Sequence, residues 1–145
     1  MLDLKFRLDG KIASVNTIYV RGRNGGVFLS PEVHKYREDN KPIVKEALKA
    51  SGTKYENGII KMSVKVYTNY FTKADEIRKV DIDNTAKQIL DTVFPALGID
   101  DKTVFELNLK KVHYEGQPYV EIKLKESPNP AKREPKSNKK VSKGL

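Results

Sequence analysis
The apolar residues of this chain change their spacing along its length, and each change restricts the backbone form that a segment can take. Leu2, Leu4, Phe6 and Leu8 alternate with Asp3, Lys5, Arg7 and Asp9. A period of two puts every second side chain on one face, the mark of a half-buried strand. Ile60, Met62, Val64 and Val66 repeat the pattern, as do Phe105, Leu107 and Leu109, and then Val120, Ile122 and Leu124. Between these segments the spacing lengthens. Val33, Tyr36, Val44 and Leu48 recur at roughly helical intervals, and Ile82, Ala86, Ile89, Leu90, Val93 and Leu97 mark one apolar helix face.

Turn and cap residues punctuate the same order. Ser30-Pro31 is a helix start, with Ser as N-cap and Pro at the first helical position, and Gly52 is its stop. Pro42 lies inside this helix and is expected to kink or split it. Asp81 or Asp83 is placed to cap the second helix, Pro95 to end or bend it near Phe94, and Gly98 to complete the stop. The residues around Arg21, Arg23 and Gly25-Gly26 read as a basic loop or hairpin, Thr72 to Val80 as a polar loop, and Tyr114 to Pro118 as a hairpin turn. The order strand, helix, strand, helix, strand, strand predicts an α+β fold, a small mixed β-sheet with two main helices packed on one face.

At 145 residues the chain fits one domain, expected over residues 1–126. No apolar run approaches the ~20 residues of a membrane-spanning helix, and the strand-like N-terminus differs from a signal peptide. The expected location is the cytoplasm. Cysteine is absent, which excludes disulfides, zinc–thiolate centres and thiol nucleophiles, and two histidines, His34 and His113, argue against a histidine metal site. The net charge is +9, of which residues 127–145 carry +5 and residues 1–126 the remaining +4. That tail is rich in Pro, Lys and Ser and is expected to be disordered. A basic body suits a polyanionic partner, nucleic acid above all, or simply a surface rich in lysine.

Against this charge, Val80 to Asp101 holds five aspartates: Asp81, Asp83, Asp91, Asp100 and Asp101. Asp81 and Asp83 stand two apart at a loop-to-helix junction. If both converge, their repulsion calls for a hard cation, Mg²⁺ or, as a substitute, Mn²⁺. Carboxylates beside a basic surface suit metal-assisted phosphodiester hydrolysis. Lys87 follows Asp83 by one helical turn and is placed to stabilise the charged transition state or orient the attacking water. Simpler readings compete. Aspartates at a helix start cap backbone N–H groups and complement the dipole. Asp83, Lys87 and Asp91 form an i, i+4, i+8 ladder, and Asp100-Asp101 suits an ordinary turn. On those readings the chain is a non-catalytic nucleic-acid-binding module whose aspartates only cap a helix, or an interaction protein that works through its basic tail.

"VDIDNTAKQILDTV", then "GIDD", then "VFELNLKKV" resembles the RusA family of Holliday-junction resolvases. The matching positions are Asp81, Asp83, Asn84, Lys87, Asp91, Asp100 and Asp101. Ser14 and Asn16 match a Ser/Asn-rich turn after the first strand, and "LSPEVHKYR" matches the opening of the first helix at Ser30, Tyr36 and Arg37. The likeness spans residues 4–124, with Ile12 and Ala13 standing where the family has prolines. It implies metal ligands at Asp81, Asp83 and Asp101, catalytic roles for these three and Lys87, and no small-molecule cofactor. The implied substrate is branched DNA, a four-way junction cut by paired symmetric nicks in recombination and repair, in a bacterial or phage-infected bacterial cell. Asn16, Arg21, Arg23, Lys73, Arg78, Lys79 and Asn84 are the expected DNA contacts, with Lys110 and Lys111 as further candidates. Tyr19 is a candidate for base stacking, Phe28 is expected in the core, and Asp91 is expected as an ion-pair partner of Lys87.

A helix from Asp83 to Phe94 would be about 17 Å long at ~1.5 Å per residue, so Asp81 and Asp101 would stand near its opposite ends. One ion cannot bridge that gap at ~2.1 Å per ligand. Two antiparallel copies of the helix would bring each subunit's Asp101 to its partner's Asp81 and Asp83, which predicts a homodimer.

Overall fold
The computed structural model describes residues 1–13 and 19–131. Ser14 and Asn16, and the tail from residue 132 onward, lie outside the described residues. The elements are β1 (Asp3–Asp9), β2 (Tyr19–Arg21), β3 (Val27–Leu29), α1 (Pro31–Ser51), β4 (Ile59–Thr68), α2 (Ile82–Leu97), β5 (Val104–His113) and β6 (Tyr119–Ser127).

Four strands form one mixed sheet in the order β1-β6-β4-β5, with β6 antiparallel to both neighbours and β5 parallel to β4. The register aligns the apolar positions into rows. Leu4, Leu124 and Met62 share one row, Phe6, Ile122 and Val64 the next, and Leu8, Val120 and Val66 the third. All nine are buried, and Val44, Ile89, Val93 and Phe94 from the helices join the same core. The fold is thus the α+β arrangement expected from the spacing.

The helix starts and stops follow local chemistry. Ser30 Oγ accepts from Val33 N at 3.4 Å, and Gly52 and Gly98 end their helices at φ 66° and 71°, a conformation that glycine adopts without strain. Pro42 does not split α1, which runs unbroken over 21 residues. Pro42 and Glu38, the residue whose carbonyl loses its helical partner, are both exposed, so water can take that bond. Likewise α2 continues past Pro95 to Leu97. The apolar face expected for β5 is only partly realised: Phe105 is 68% and Leu107 37% exposed, because β5 is an edge strand that the helices leave uncovered.

Two buried polar residues close the domain. Asn40 on α1 accepts from Asp9 N at 2.9 Å and donates to the carbonyls of Asp9 (3.0 Å) and Tyr36 (2.9 Å), locking the helix to the end of β1. Glu126 on β6 accepts from the backbone N–H groups of Leu2 (2.9 Å), Glu56 (3.0 Å) and Gly58 (2.6 Å). Burial pushes the Glu126 carboxyl up, but these donors and the nearby amino terminus outweigh it and hold the pKa below its ordinary value. A lowered carboxylate pKa contributes stability above the unfolded value, ~4.3, that is lost as the pH falls. Glu126→Gln is therefore expected to be less stable than the parent at pH 7, with the difference shrinking below about pH 4 in urea titrations. Gly58→Ala should also destabilise by roughly 1–3 kcal/mol, since an added Cβ would meet Ser127 O at 2.1 Å and Glu126 Oε2 at 2.6 Å.

Candidate active site
A strand that runs parallel to its neighbour needs a crossover, and α2 is the crossover between β4 and β5. Its N-terminus therefore lies at the end of the sheet where β4 and β5 finish, and its C-terminus returns to the end where β5 begins. Lys111, near the end of β5, marks the first location by donating from its ammonium to the Val80 carbonyl. Asp81, Asp83, Asn84 and Lys87 gather there, while Asp100 and Asp101 precede Val104 at the other end. The 16 residues of α2 span about 24 Å at ~1.5 Å per residue. Within the chain, the structure does not bring Asp101 to Asp81 and Asp83, and no group of three or more acidic or histidine side chains among the described residues is placed to hold one ion.

The aspartates divide by what their oxygens do. Asp81 occupies the N-cap position of α2, yet its side chain makes no capping bond. The job passes to its carbonyl, which accepts from Thr85 N at 3.1 Å and Thr85 Oγ1 at 2.9 Å. The Asp81 carboxylate is left exposed. Asp83, also exposed, accepts from the adjacent Asn84 N at 2.9 Å through one oxygen. At the far end, Asp100 caps the Asp101–Thr103 turn by accepting from Lys102 N at 2.9 Å, and exposed Asp101 makes no side-chain hydrogen bond among the described residues. Asp91 pairs with Arg37 of α1 at 3.6 Å rather than with Lys87, so the expected surface ladder does not form. Lys87 is exposed and makes no ion pair among the described residues.

A cleft of about 500 Å³ opens beside the start of α2. Its walls include Lys11 to Ala13, Tyr70, Arg78, Asp81 and Asn84. Three contacts hold it open. Gln88, buried on α2, donates to the Ala13 carbonyl at 2.7 Å and so fixes the chain entering residues 14–18. His113 Nδ1 accepts from Tyr70 N at 3.1 Å, which gives this histidine a structural role. Arg78 Nε donates to the Phe71 carbonyl at 2.9 Å. The Tyr70 hydroxyl is buried with no partner among the described residues, and burial pushes its pKa up to about 12.

Of the expected DNA contacts, Lys73, Arg78 and Lys79 lie on the loop leading to Asp81, and Asn84 is half-buried in the first turn of α2. Arg21 and Arg23 sit on the β2–β3 hairpin. Asn16 is outside the described residues. Lys111 is committed to the Val80 carbonyl and to the Tyr70 ring, 5.3 Å away, and so serves the fold. Phe28 is 60% exposed, not part of the core, because it belongs to a two-stranded hairpin separate from the main sheet, where its ring covers Gly22.

Sequence reasoning passed over two features. One is Gln88, legible as a polar residue on an apolar helix stripe. The other is the sheet face away from the helices, where Lys5, Lys61, Lys65, Lys123 and Lys125 are all exposed. Arg7 lies 3.8 Å over the Tyr119 ring on that face, and Tyr67 stacks on Tyr119 at 4.4 Å. The alternation of lysine with apolar residues along β4 and β6 was the available signal.

Replacing Gln88 by Leu keeps the volume but leaves the Ala13 carbonyl unpaired. The variant is expected to lose about 1–3 kcal/mol in urea denaturation.

Compared with known families, the chain matches the family model of endodeoxyribonuclease RusA over residues 9–125. No curated protein matches it at a significant level.

Proposed function
Since the chain belongs to the RusA endodeoxyribonuclease family, we propose that it is a Mg²⁺-dependent, structure-selective endonuclease that resolves Holliday junctions by paired symmetric nicks. We place it in the cytoplasm of a bacterial or phage-infected bacterial cell, acting in recombination and repair. One observation carries the catalytic reading over a purely structural one: Asp81 stands at the N-cap of α2 without using its carboxylate to cap. A module whose aspartates only cap a helix would spend that side chain on backbone N–H groups. Asp100 is spent in this way, and Asp101 is not.

The donor set fits a hard divalent cation. It offers exposed carboxylate oxygens and no thiol, and Mg²⁺ takes one or two carboxylates with water and phosphate oxygens completing its shell. Asp81 and Asp83, with Asp101 of a second subunit, would hold it. Bound there, the ion supplies an activated water and charge neutralisation at the phosphate. The protein does the rest. Lys87, one turn beyond Asp83, is within reach of a phosphate held at the N-terminus of α2 and would donate to the charge that builds on its oxygens. The first-turn N–H groups of α2 favour the same anion. Arg78, Lys79 and Lys73 would track the sugar–phosphate strand into the cleft, with Arg21 and Arg23 on an arm. One water is consumed at each cut. A P–O bond to one sugar breaks, leaving a hydroxyl terminus and a phosphate monoester. Two such sites in a homodimer suit two strands of like polarity cut in pairs.

The test is a synthetic four-way junction with Mg²⁺, beside a linear duplex of the same sequence. The parent is expected to cut the junction and spare the duplex. Asp83→Asn should lower the cutting rate at least about 100-fold while leaving junction binding in place. Lys87→Ala should cost about 100- to 1000-fold. Equal rates for Asp83→Asn and the parent would overturn the reading. The shared-site arrangement has its own test. A mixed dimer of Asp83→Asn and Asp101→Asn chains holds one intact site and one doubly altered site, so it is expected to nick single strands where both parent variants are silent.

A further inference from the structure
Two strands end the main sheet, and their free edges differ. β1 is seven residues long; it buries Leu4, Phe6 and Leu8 and turns Asp3, Lys5 and Arg7 outward. β5 runs ten residues, and Phe105 and Leu107 lie uncovered along it, 68% and 37% exposed. Only its first residues are irregular, where the register with β4 shifts between Ile60 and Lys61. A long, regular, unpaired edge beside bare apolar side chains is a template for another strand.

The residues along that edge name the strand. From position 106 to 110 they read Glu-Leu-Asn-Leu-Lys. Turned end for end about Asn108, this segment is its own complement: Leu107 faces Leu109, and Glu106 faces Lys110. The geometry points to edge-to-edge, antiparallel pairing of β5 with β5 of a second copy of this chain, about a two-fold axis at Asn108, which joins the two sheets into one of eight strands.

The sheet faces support the register. Glu106 pairs with Lys61 of its own β4 at 3.0 Å on the face away from the helices. Glu106 and Lys110 both project there, so the partner's Lys110 arrives on the open side of a half-exposed carboxylate. Leu107 and Leu109 align with buried Met62 and Val64, so they meet their partners on the helix side. Opposite charges and apolar pairs directly across antiparallel strands are the contacts that select register. In this register Phe105 stands across from the partner's Lys111, the residue that holds the Val80 carbonyl. The turn bearing Asp101 and the partner's Asp81 and Asp83 therefore come to one end of the joined sheet. The role of this contact in cutting rests on the shared-site reading above; its geometry rests on β5 alone.

The chain has no cysteine, so Asn108→Cys introduces one thiol, on the axis itself. Residues paired across antiparallel strands lie about 4.5–5.5 Å apart, within the span of a disulfide. Mild oxidation of the full chain is expected to convert Asn108→Cys to a covalent dimer, while Lys5→Cys, on the other edge strand, stays monomeric on the same non-reducing gel. Glu106→Lys should weaken self-association about tenfold in sedimentation, and adding Lys110→Glu should restore it. Crosslinking at 108 no faster than at 5, or undiminished association of Glu106→Lys, overturns the interface. If junctions are still cut in that case, the nuclease reading stands without it. Crosslinking at 108 in a chain that cuts no junction supports the interface and refutes the nuclease reading.

Discussion
The parallel pairing of β4 with β5 governs the layout of the chemistry. Antiparallel neighbours can be joined by a short turn, but parallel ones require the chain to travel back along the full strand before it pairs again. Here α2 makes that journey. The acidic motif straddles it, so the same covalent stretch that holds the aspartates close in sequence holds them apart in space. Asp81 and Asp83 are delivered to the finish of the strands and Asp101 to their start. No side-chain rotation closes a gap of roughly 24 Å, the length of a 16-residue helix. A divided site is thus a property of the topology.

Within that layout, function is visible in which polar groups the fold leaves unused. Glu126, Asn40, Gln88 and Asp100 each satisfy backbone groups and are spent. Lys111 looks like a surface cation in the sequence but is committed to the Val80 carbonyl just before the motif. Asp81, Asp101 and Lys87 remain exposed and uncommitted. Asp81 is the most telling, because Thr85 closes the first turn through the Asp81 carbonyl, and the side chain at the best capping position is kept free.

Much of the fold was legible because period and punctuation agreed. The alternations at Leu2–Leu8, Ile60–Val66 and Val120–Leu124 became rows of one core, and Ser30, Gly52 and Gly98 set helix limits by their own chemistry. The misreadings arose where tertiary context decides. Proline in a helix was read as a break, yet Pro42 lies on the solvent side, where a lost backbone bond is cheap. Phe28 and Phe105 were assigned burial from their apolarity, but a strand's period does not reveal whether anything covers its apolar face. The partner of Asp91 was sought one turn away on its own helix, and the contact comes instead from Arg37 on α1, a separation that periodicity does not encode. The motif residues were visible as a resemblance, and their division between two ends followed from helix length.

β5 also acts as a gauge. If two copies join along it, the places where strands are cut lie at its two ends, and its extent sets the interval between them. Seven residues from Val104 to Lys111 amount to about 23 Å at ~3.3 Å per residue. A hydrogen-bonded strand is stiff along its axis, so this interval would vary little from one encounter to the next. The DNA would then have to present its two backbones at that separation, and shape selection would follow from a fixed length rather than from reading any base.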